Sequence, residues 1–340
     1  MENHGCELII AGGDDAFLLL KKEFPSIVIL RLFGYKIRYS RSENWLILKL
    51  ILQLPKLAIS VFKENRWLKK IAKTYKPDVV ISDNRLGMYN RGLFSIYITH
   101  QLIIKTGNFF LDRIASLIHN HFIKKYNQCW VPDFKKNGLA GELSHPKKLP
   151  SNVVYVGALS RFEKIPVVEK MYDLLISISG PEPQRTIFEK MILGQLRSFK
   201  GKALVVRGLP SEKQELKISN AFTEVVNHLS AIDLNTAFLQ SKMIICRSGY
   251  TSIMDLVKIK KQAILVPTPG QTEQEYLASY LMRKKTFFSV KQKDFLLKEA
   301  LLKAAAFPFI TRNDNMDNYK KIISEFVFSV KSGNFESQYS

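Results

Sequence analysis

The chain has 340 residues, enough for two domains of ordinary size, and its 46% hydrophobic and 24% charged residues are typical of a globular protein. Cys6, Cys129 and Cys246 are scattered without a CxxC pair, which argues against a disulfide framework or structural zinc site and fits a reducing cytoplasm. The net charge of +21 indicates a surface that attracts anions, although a lysine-rich proteome gives such a charge without any special partner.

Targeting and nucleic-acid signals are not visible in the sequence. Met1–Gly5 is not a basic segment followed by an apolar one, so no secretory signal is expected. The most apolar window, Trp45–Phe62, is interrupted by lysines and by Pro55, which makes it a poor membrane-spanning helix. No RNA-recognition signature, zinc finger or helix-turn-helix is present, so nucleic acid is not an expected partner. The expected location is the cytoplasm.

The first half of the chain alternates short apolar runs with helical patterns. Strands are predicted at Cys6–Ala11, Ile27–Leu30, Val79–Ser82, Phe94–Thr99, Gln128–Pro132 and Val153–Val156. Helices are predicted over Ala16–Phe24, in two pieces within Trp45–Tyr75 with a break near Pro55, and over Phe109–Tyr126.

The second half repeats this alternation. Strands are predicted at Leu174–Ser177, Ala203–Arg207, Thr223–Val226, Met243–Cys246, Ala263–Val266 and Thr286–Ser289. Such a pattern indicates an α/β fold with doubly wound parallel sheets covered on both faces. Turn and charge signals at Gly157–Lys170 place a boundary there, which predicts domains at 1–160 and 161–330 and a loose polar tail at 331–340.

Ligands of open parallel sheets bind beyond the carboxyl ends of the strands. This rule places several polar loops on a functional rim: Asp83-Asn84, His100, Ser179-Gly180, Arg247–Thr251 and Thr268–Gln274. Two sheets that face each other would bring their rims together across a cleft.

The segment Met243–Leu281 carries the strongest signal in the sequence. An apolar strand ends in a turn containing Gly249, where a helix begins whose first-turn amides favour a phosphate. Asp255 lies one turn into that helix, and its carboxylate suits sugar or ribose hydroxyls. A second strand then ends in a polar loop that enters another helix. Each feature alone is commonly a helix cap or dipole compensation, but two such loops in succession are more specific.

This segment resembles the nucleotide-sugar-binding half of glycosyltransferase family 28. The resemblance implies a GT-B fold, in which two Rossmann-like domains face a cleft. It places Ser248, Gly249 and Thr251 by the diphosphate and matches Asp255 to the acidic residue that holds the ribose hydroxyls. Gln274 and Glu275 match the paired polar residues that grip the donor sugar, with Glu where the family has a second Gln.

Other parts of the second half match the family more weakly. Ser179-Gly180 stands where the family has a glycine-rich loop facing the diphosphate, and Asn227-His228 where it has a base-contacting loop. Arg207 and Arg247 are candidate neighbours of the diphosphate because guanidinium groups suit phosphate. The expected donor-binding residues are Ser179, Gly180, Arg207, Asn227, His228, Arg247, Ser248, Gly249, Thr251, Asp255, Gln271, Thr272, Gln274 and Glu275.

Catalysis of sugar transfer needs a base, or a charge-stabilising group, near the acceptor hydroxyl. Asp83 and His100 both follow predicted strands of the first half and are the candidates; the alternative is a strand-end Asp and a packed His. No bound metal and no cofactor are expected, because helix amides and arginine can stabilise the leaving diphosphate and no DxD pair has a metal-binding context.

The first half departs from the family at its beginning. The family's acceptor domains open with a strand and a glycine-rich loop containing His, whereas His4–Ile9 resembles the second strand and its approach. The first strand, its loop and most of the first helix are therefore expected to be missing. Either the start is misassigned, or the chain is truncated, or this copy is degraded.

The expected function is inverting transfer of a hexosyl or N-acetylhexosaminyl group from a UDP-linked or other nucleotide diphosphate sugar to a glycan or lipid-linked acceptor. A sugar-nucleotide epimerase of the same fold and a non-catalytic nucleotide-sugar or lipid-binding protein are the alternatives. Trp45–Lys70 and Leu102–Lys125 mix apolar, aromatic and basic residues, which suits either core helices or helices lying on an anionic membrane at the inner face of the plasma membrane. The sugar, acceptor, linkage and oligomeric state stay open.

Overall fold

The computed structural model describes residues 1, 4–32, 46–166, 169–210, 212, 214, 216 and 221–333. The contacts between residues divide the chain into two compact units. Unit 1 comprises Met1–Ala158 and Asn315–Ser340, and unit 2 comprises Leu159–Asp314. The domain limits expected from the sequence differ from these chiefly at the end of the chain, which belongs to unit 1.

Unit 1 begins with strands and helices in alternation. They are β1 (Ile9–Gly12), α1 (Asp14–Glu23), β2 (Val28–Arg31), α2 (Leu46–Tyr75), β3 (Val79–Asp83), β4 (Phe94–Ile98), α3 (Phe109–Ile123), β5 (Gln128–Val131) and β6 (Val153–Tyr155).

In the described part of unit 1, the strands form two separate parallel sheets. One contains β1 and β2, and the other is four-stranded in the order β3-β4-β5-β6. One apolar cluster includes Leu32 just beyond β2, Leu68 of α2 and Val80 of β3, and Ala11 of β1 packs against it. The helix α2 therefore covers strands of both sheets.

Unit 2 continues the alternation, and its described strands form a single sheet. Its elements are β7 (Tyr172–Ser177), α4 (Gln184–Leu196), β8 (Ala203–Val206), β9 (Thr223–Val226), α5 (Ala231–Gln240), β10 (Ser241–Cys246), α6 (Tyr250–Lys258), β11 (Ala263–Leu265), α7 (Thr272–Arg283), β12 (Phe288–Ser289) and α8 (Leu297–Ala305). The six strands are parallel and lie in the order β12-β11-β10-β7-β8-β9. This is the doubly wound order, with the first strand, β7, at the centre.

The two units differ at that central strand. In unit 2, β7 pairs with both β8 and β10 and so joins the two halves of the sheet. Among the described residues of unit 1, no strand joins β1 to β3, and the sheet is divided at this point. The division lies where the sequence led us to expect a missing first strand.

The helix α2 differs from the two helical pieces expected from the sequence. A break was expected near Pro55, but a single helix of 30 residues passes through it. An interior proline costs about 3 kcal/mol because it removes a hydrogen bond and crowds the preceding turn. The second half of the helix offsets this cost by burying Val61 and Leu68. Residues 33–45, which include the first residue of the most apolar window, lie outside the described residues.

The last helix, α9 (Asn318–Lys331), returns to unit 1. Its Phe326 ring packs against the rings of Trp130 in β5 and Phe94 in β4, with centroids 5.1 and 6.0 Å apart. Burial of this aromatic side chain explains why α9 belongs to unit 1. The expected loose tail therefore begins with helix at Lys331, and residues 334–340 lie outside the described residues. No helix in the described part of the chain combines the length and hydropathy that a bilayer crossing requires.

Candidate functional site

In the described part of unit 2, two helices, α6 and α7, begin without a side-chain cap at the carboxyl ends of the adjacent strands β10 and β11. Their N-cap residues are Gly249 and Gln271. The helix α4 follows the next strand, β7, and there the Glu182 carboxylate accepts a hydrogen bond from the Thr186 amide at 3.3 Å. By contrast, α5 is capped by Ser230, whose hydroxyl accepts a hydrogen bond from the Asp233 amide at 3.2 Å. Uncapped first turns present positive partial charge, so this part of the rim is suited to an anion.

Gly249 has no structural need to be glycine. Its φ of −67° is open to any residue, and a Cβ added there would meet no atom within 4 Å. Neither backbone conformation nor packing of the described protein therefore requires glycine at the start of α6. The glycine leaves the backbone of this turn open to close approach by a ligand.

Gly180, in the loop after β7, is glycine for a different reason. Its φ is +104°, a conformation that residues with a side chain rarely adopt. A Cβ on Gly180 would lie 3.4 Å from the Thr268 hydroxyl, so the loops that follow β7 and β11 lie side by side. Ser179 and Gly180 are both exposed.

Asp255 is buried one turn into α6, with 4% of its surface exposed. The Ser160 hydroxyl donates a hydrogen bond to its Oδ1 at 2.6 Å, and Arg161 Nε lies 4.0 Å from Oδ2. Burial raises the pKa of Asp255, and the Ser160 hydrogen bond and the Arg161 charge oppose that rise. Ser160 and Arg161 could not be predicted from the sequence, because they lie about 95 residues earlier in the chain, at the start of unit 2.

The polar loop before α7 is held in shape by side chains from the first turn of that helix. Gln274 Oε1 accepts a hydrogen bond from the Thr268 amide at 2.9 Å, and Glu275 Oε1 accepts one from the Gly270 amide at 3.1 Å. Gln274 Nε2 also contacts the side-chain oxygen of Gln271. The candidate residues of this loop are therefore brought together in one organised turn.

Arg247 and Ser248 do not present their side chains at the rim. Arg247 is 1% exposed, and its Nη atoms donate to the carbonyl oxygens of Gln184 at 3.0 Å and Val266 at 3.1 Å. Burial lowers the pKa of Arg247 to about 10. Ser248 is fully buried and donates to the Gln274 carbonyl at 2.8 Å. In this structure both side chains organise the loops, and neither reaches solvent where a ligand would contact it.

Arg207 is also engaged within the protein. Its Nε pairs with Glu189, and its Nη1 donates to Asn227 Oδ1 at 2.7 Å. Glu189 pairs in addition with Arg185 at 3.0 Å. The guanidinium of Arg207 is therefore neutralised, and Asn227 is held at the end of β9. The remaining candidates keep some accessible surface: Thr251, His228, Gln271 and Thr272.

Asp83 and His100 lie at the carboxyl ends of the neighbouring strands β3 and β4 in unit 1. Asp83 is paired in register with Ile98, and the Asn84 amide donates to the Ile98 carbonyl at 3.1 Å. The carboxylate is at the exposed strand end, where surrounding protein atoms reduce its hydration and raise its pKa, while the charges of His100 and Arg85 oppose that rise. The structure thus brings the two catalytic candidates near each other.

A second polar cluster in unit 1 was not anticipated from the sequence. The fully buried Asp133 carboxylate accepts hydrogen bonds from the Leu139 and Ala140 amides and from the Ser144 hydroxyl, at 2.7, 3.0 and 2.6 Å. His145 Nδ1 lies 2.8 Å from the same hydroxyl. Because Ser144 is fully buried and directs its proton to Asp133, the cluster clamps the loop after β5 and offers no nucleophile. In the part of the chain that the structure describes, no group of three His, Cys, Asp or Glu side chains could hold a metal ion.

Two comparisons of the sequence with known proteins both find similarity to glycosyltransferases. Residues 170–325 match the glycosyltransferase family 28 C-terminal domain. The chain is 22% identical over 321 residues to a UDP-N-acetylglucosamine–N-acetylmuramyl-(pentapeptide) pyrophosphoryl-undecaprenol N-acetylglucosamine transferase from Wigglesworthia glossinidia brevipalpis, covering 87% of this chain and 79% of the relative.

Solved structures share the fold at low sequence identity. A spinosyn rhamnosyltransferase complexed with thymidine diphosphate has a TM-score of 0.58 at 12% identity, over 97% of this chain and 90% of that one. A Listeria monocytogenes protein described as a UDP-N-acetylglucosamine 2-epimerase has a TM-score of 0.51 at 12% identity, over 96% of both chains. Together with the parallel sheets of the two units, these likenesses establish a GT-B fold.

Proposed function

Because residues 170–325 are a glycosyltransferase family 28 C-terminal domain on a GT-B fold, we propose that this chain transfers a hexosyl or N-acetylhexosaminyl group from a UDP-linked sugar to a glycan or lipid-linked acceptor. The coarser activity, that of a nucleotide-sugar glycosyltransferase, is the activity of the family. The donor, the acceptor class and the assignment of residues to roles are our proposal.

The observation that carries this proposal is that two uncapped helix starts, those of α6 and α7, lie on adjacent strands, with the backbone of Gly249 open at the first of them. A diphosphate placed there would receive the backbone amides and the positive ends of two helix dipoles. We assign Asp255, one turn into α6, to the ribose hydroxyls, and Gln274 and Glu275 to the donor sugar. The polar loop at Asn227 and His228 is assigned to the base.

The transfer step follows from these roles. The acceptor oxygen attacks the anomeric carbon with inversion, the bond from that carbon to the diphosphate oxygen breaks, and the acceptor proton passes to a base. Helix amides stabilise the charge that develops on the leaving diphosphate, so we propose that no metal is required. Activity that persists in excess EDTA would agree with this, and loss restored by a divalent cation would contradict it.

We assign the base to His100, with Asp83 holding it in place through its charge. Replacing His100 with Gln is expected to lower kcat about 100-fold or more while leaving KM for the donor within about twofold. His121, which is exposed on α3 away from these strand ends, supplies the control, and His121→Gln is expected to keep wild-type kcat. Equal kcat values for the two variants would remove His100 from catalysis.

The decisive experiment for donor binding is calorimetry of the full chain with a panel of nucleoside diphosphates. We expect UDP to bind most tightly and the other diphosphates more weakly. If none of the panel binds, the proposed function is wrong. A chain that binds a diphosphate without transferring sugar would instead support the non-catalytic alternative, for which the divided sheet of unit 1 is the specific observation.

The epimerase alternative draws on the fold that the chain shares with the Listeria monocytogenes protein. It predicts isomerisation or hydrolysis of the sugar nucleotide at a rate independent of any added acceptor. A rate that rises with acceptor concentration would favour transfer.

We further propose that unit 1 attaches peripherally to an anionic membrane. The helix α3 exposes large apolar side chains at Phe109, Phe110 and Leu117, with exposed fractions of 75%, 75% and 63%. Lys124 and Lys125 follow the helix and are exposed. Apolar side chains flanked by lysines suit the boundary between headgroups and acyl chains.

A further inference from the structure

The arginines near the ends of β7, β8 and β10 fall into two electrostatic classes. Arg185 pairs with Glu182 at 2.6 Å and with Glu189 at 3.0 Å, and Arg207 pairs with Glu189. These two guanidinium groups are neutralised by the buried carboxylate of Glu189 and the more exposed carboxylate of Glu182. They add little net positive charge for a ligand at the rim.

Arg247 belongs to the other class. Among the described residues no carboxylate forms an ion pair with it, although only 1% of its surface reaches water. Three carbonyl oxygens accept from its Nη atoms, those of Gln184, Val266 and Pro267, at 3.0, 3.1 and 3.4 Å. The Phe188 ring lies 4.2 Å from the guanidinium carbon. Dipoles and a ring solvate this charge in part and leave it uncompensated.

The polar groups around Arg247 are also incomplete. Its Nε and the hydroxyl of Thr268 are buried without a hydrogen-bond partner in the described part of the chain. An unsatisfied buried donor destabilises the folded protein, and a buried unpaired charge destabilises it more. The site without a ligand therefore contains electrostatic strain concentrated at one residue.

The position of this charge connects it to the rim. Arg247 stands two residues before Gly249, so their Cα atoms are within about 7.6 Å of each other. Its guanidinium contacts the first carbonyl of α4 and the carbonyls that follow β11. The charge thus lies behind the starts of α4 and α6, beneath the surface that the proposed function assigns to the diphosphate.

We propose that Arg247 is a positioning residue whose buried, uncompensated charge is balanced by the diphosphate of the donor. It acts through space and through the loops it holds, without touching the ligand. A doubly charged group bound at the helix starts supplies the counter-charge that the fold omits, and little intervening solvent screens the interaction. The inference rests on the proposed function and explains why the donor site would prefer a diphosphate.

The test compares UDP, UMP and uridine by calorimetry on the full chain. Arg247→Met keeps the apolar stem and removes the charge. We expect its Kd for UDP to rise about tenfold or more, its Kd for UMP to rise less, and its Kd for uridine to stay within about twofold. Lys242→Met is the control. It removes one positive charge from an exposed position at the amino end of β10 and is expected to leave all three Kd values unchanged.

A purely structural role for Arg247 predicts something different, namely equal losses for UDP and uridine, and that result would overturn the inference. Unchanged affinity for all three ligands would overturn it as well. Should Arg247→Met fail to fold, Arg247→Lys provides the test. This variant retains the charge and should keep the wild-type ratio of UDP to uridine affinity. Its Tm should be lower, because lysine cannot bridge the carbonyl oxygens that the guanidinium contacts. A wild-type chain that binds none of the ligands would overturn the proposed function and this inference together.

Discussion

At the scale of single residues, Gly249 allows ligand binding to be separated from folding. A methyl group at this position would project into open space within the protein, but against a bound diphosphate it would collide. Gly249→Ala is therefore expected to weaken UDP binding about tenfold or more while costing less than about 1 kcal/mol of unfolding free energy. Calorimetry and denaturant unfolding measure the two effects.

Gly194 is the matched control for that substitution. It lies inside α4, and a Cβ there would also meet no atom within 4 Å. Gly194→Ala should stabilise the helix by about 0.5–1 kcal/mol and leave UDP affinity unchanged. If Gly249→Ala behaved in the same way, the start of α6 would not be the diphosphate site.

Asp255 is expected to lower the stability of the folded protein near neutral pH while it supports donor binding. Its pKa is raised in the folded protein above the ordinary 3.8, so folding favours the protonated form. Its contribution to stability is present below the unfolded pKa and is lost as the pH rises through the folded pKa. Asp255→Asn should therefore gain stability relative to wild type as the pH rises from about 4 to about 7, which denaturant unfolding at both pH values measures.

The same substitution should damage donor binding, because an amide accepts hydrogen bonds from ribose hydroxyls less strongly than a carboxylate does. We expect the Kd for UDP to rise about tenfold or more. Ser160→Ala removes the hydrogen bond that holds the carboxylate and should show a smaller loss. Unaltered UDP affinity in Asp255→Asn would exclude the ribose role.

At the scale of elements, the divided sheet of unit 1 has a measurable signature. The strand β7 is paired on both sides, whereas β1 is paired only with β2 among the described residues. Two-stranded sheets are marginal on their own. Amides of Ile9–Gly12 are therefore expected to exchange with solvent about 100-fold faster, or more, than those of Leu174–Ile176.

Hydrogen-exchange mass spectrometry of the two segments provides the measurement, with β10 as an internal reference for a strand paired on both sides. Equal protection of β1 and β7 would mean that the second edge of β1 is paired in solution.

The strand ends of unit 2 could be predicted from the sequence because buried parallel strands are nearly continuous apolar runs, as Ala263–Leu265 is. Gly249, Asp255 and Gln274 follow such runs. Gly249 lies at the start of α6, Asp255 is buried one turn into that helix, and Gln274 lies in the first turn of α7. Partners distant in the chain could not be predicted: Ser160 meets Asp255 across 95 residues, and nothing in its local sequence signals this.

The continuity of α2 through Pro55 and the burial of Arg247 were missed for a related reason. Both depend on tertiary packing, which outweighs the local cost of an interior proline or a desolvated charge. Local patterns predict elements, whereas the partner of a charged side chain is set by which loops the fold brings together.

At the scale of the whole molecule, the net charge of +21 and the apolar face of α3 together predict membrane attachment. The double variant Phe109→Ser with Phe110→Ser should reduce flotation with phosphatidylserine-containing vesicles several-fold, because two exposed aromatic side chains no longer enter the interface. Phe328→Ser, which removes an equally exposed aromatic from α9, should float as wild type does.

The salt dependence distinguishes this attachment from aggregation. Binding to anionic vesicles should weaken when salt rises from about 0.1 M to about 1 M, where the Debye length falls from about 10 to about 3 Å. Binding that is equal for neutral and anionic vesicles at all salt concentrations would contradict the proposal.

The division of the sheet in unit 1 also affects how copies of the chain behave in concentrated solution. Among the described residues of unit 1, the two sheets have more open edges than one continuous sheet would have, and an open edge can pair with a strand of another molecule. The large positive charge counteracts such pairing, since like-charged copies repel each other. Added salt screens that repulsion. A buffer that lowers affinity for the anionic donor would therefore also bring copies closer to precipitation, and storage conditions for this protein should be chosen with both effects in mind.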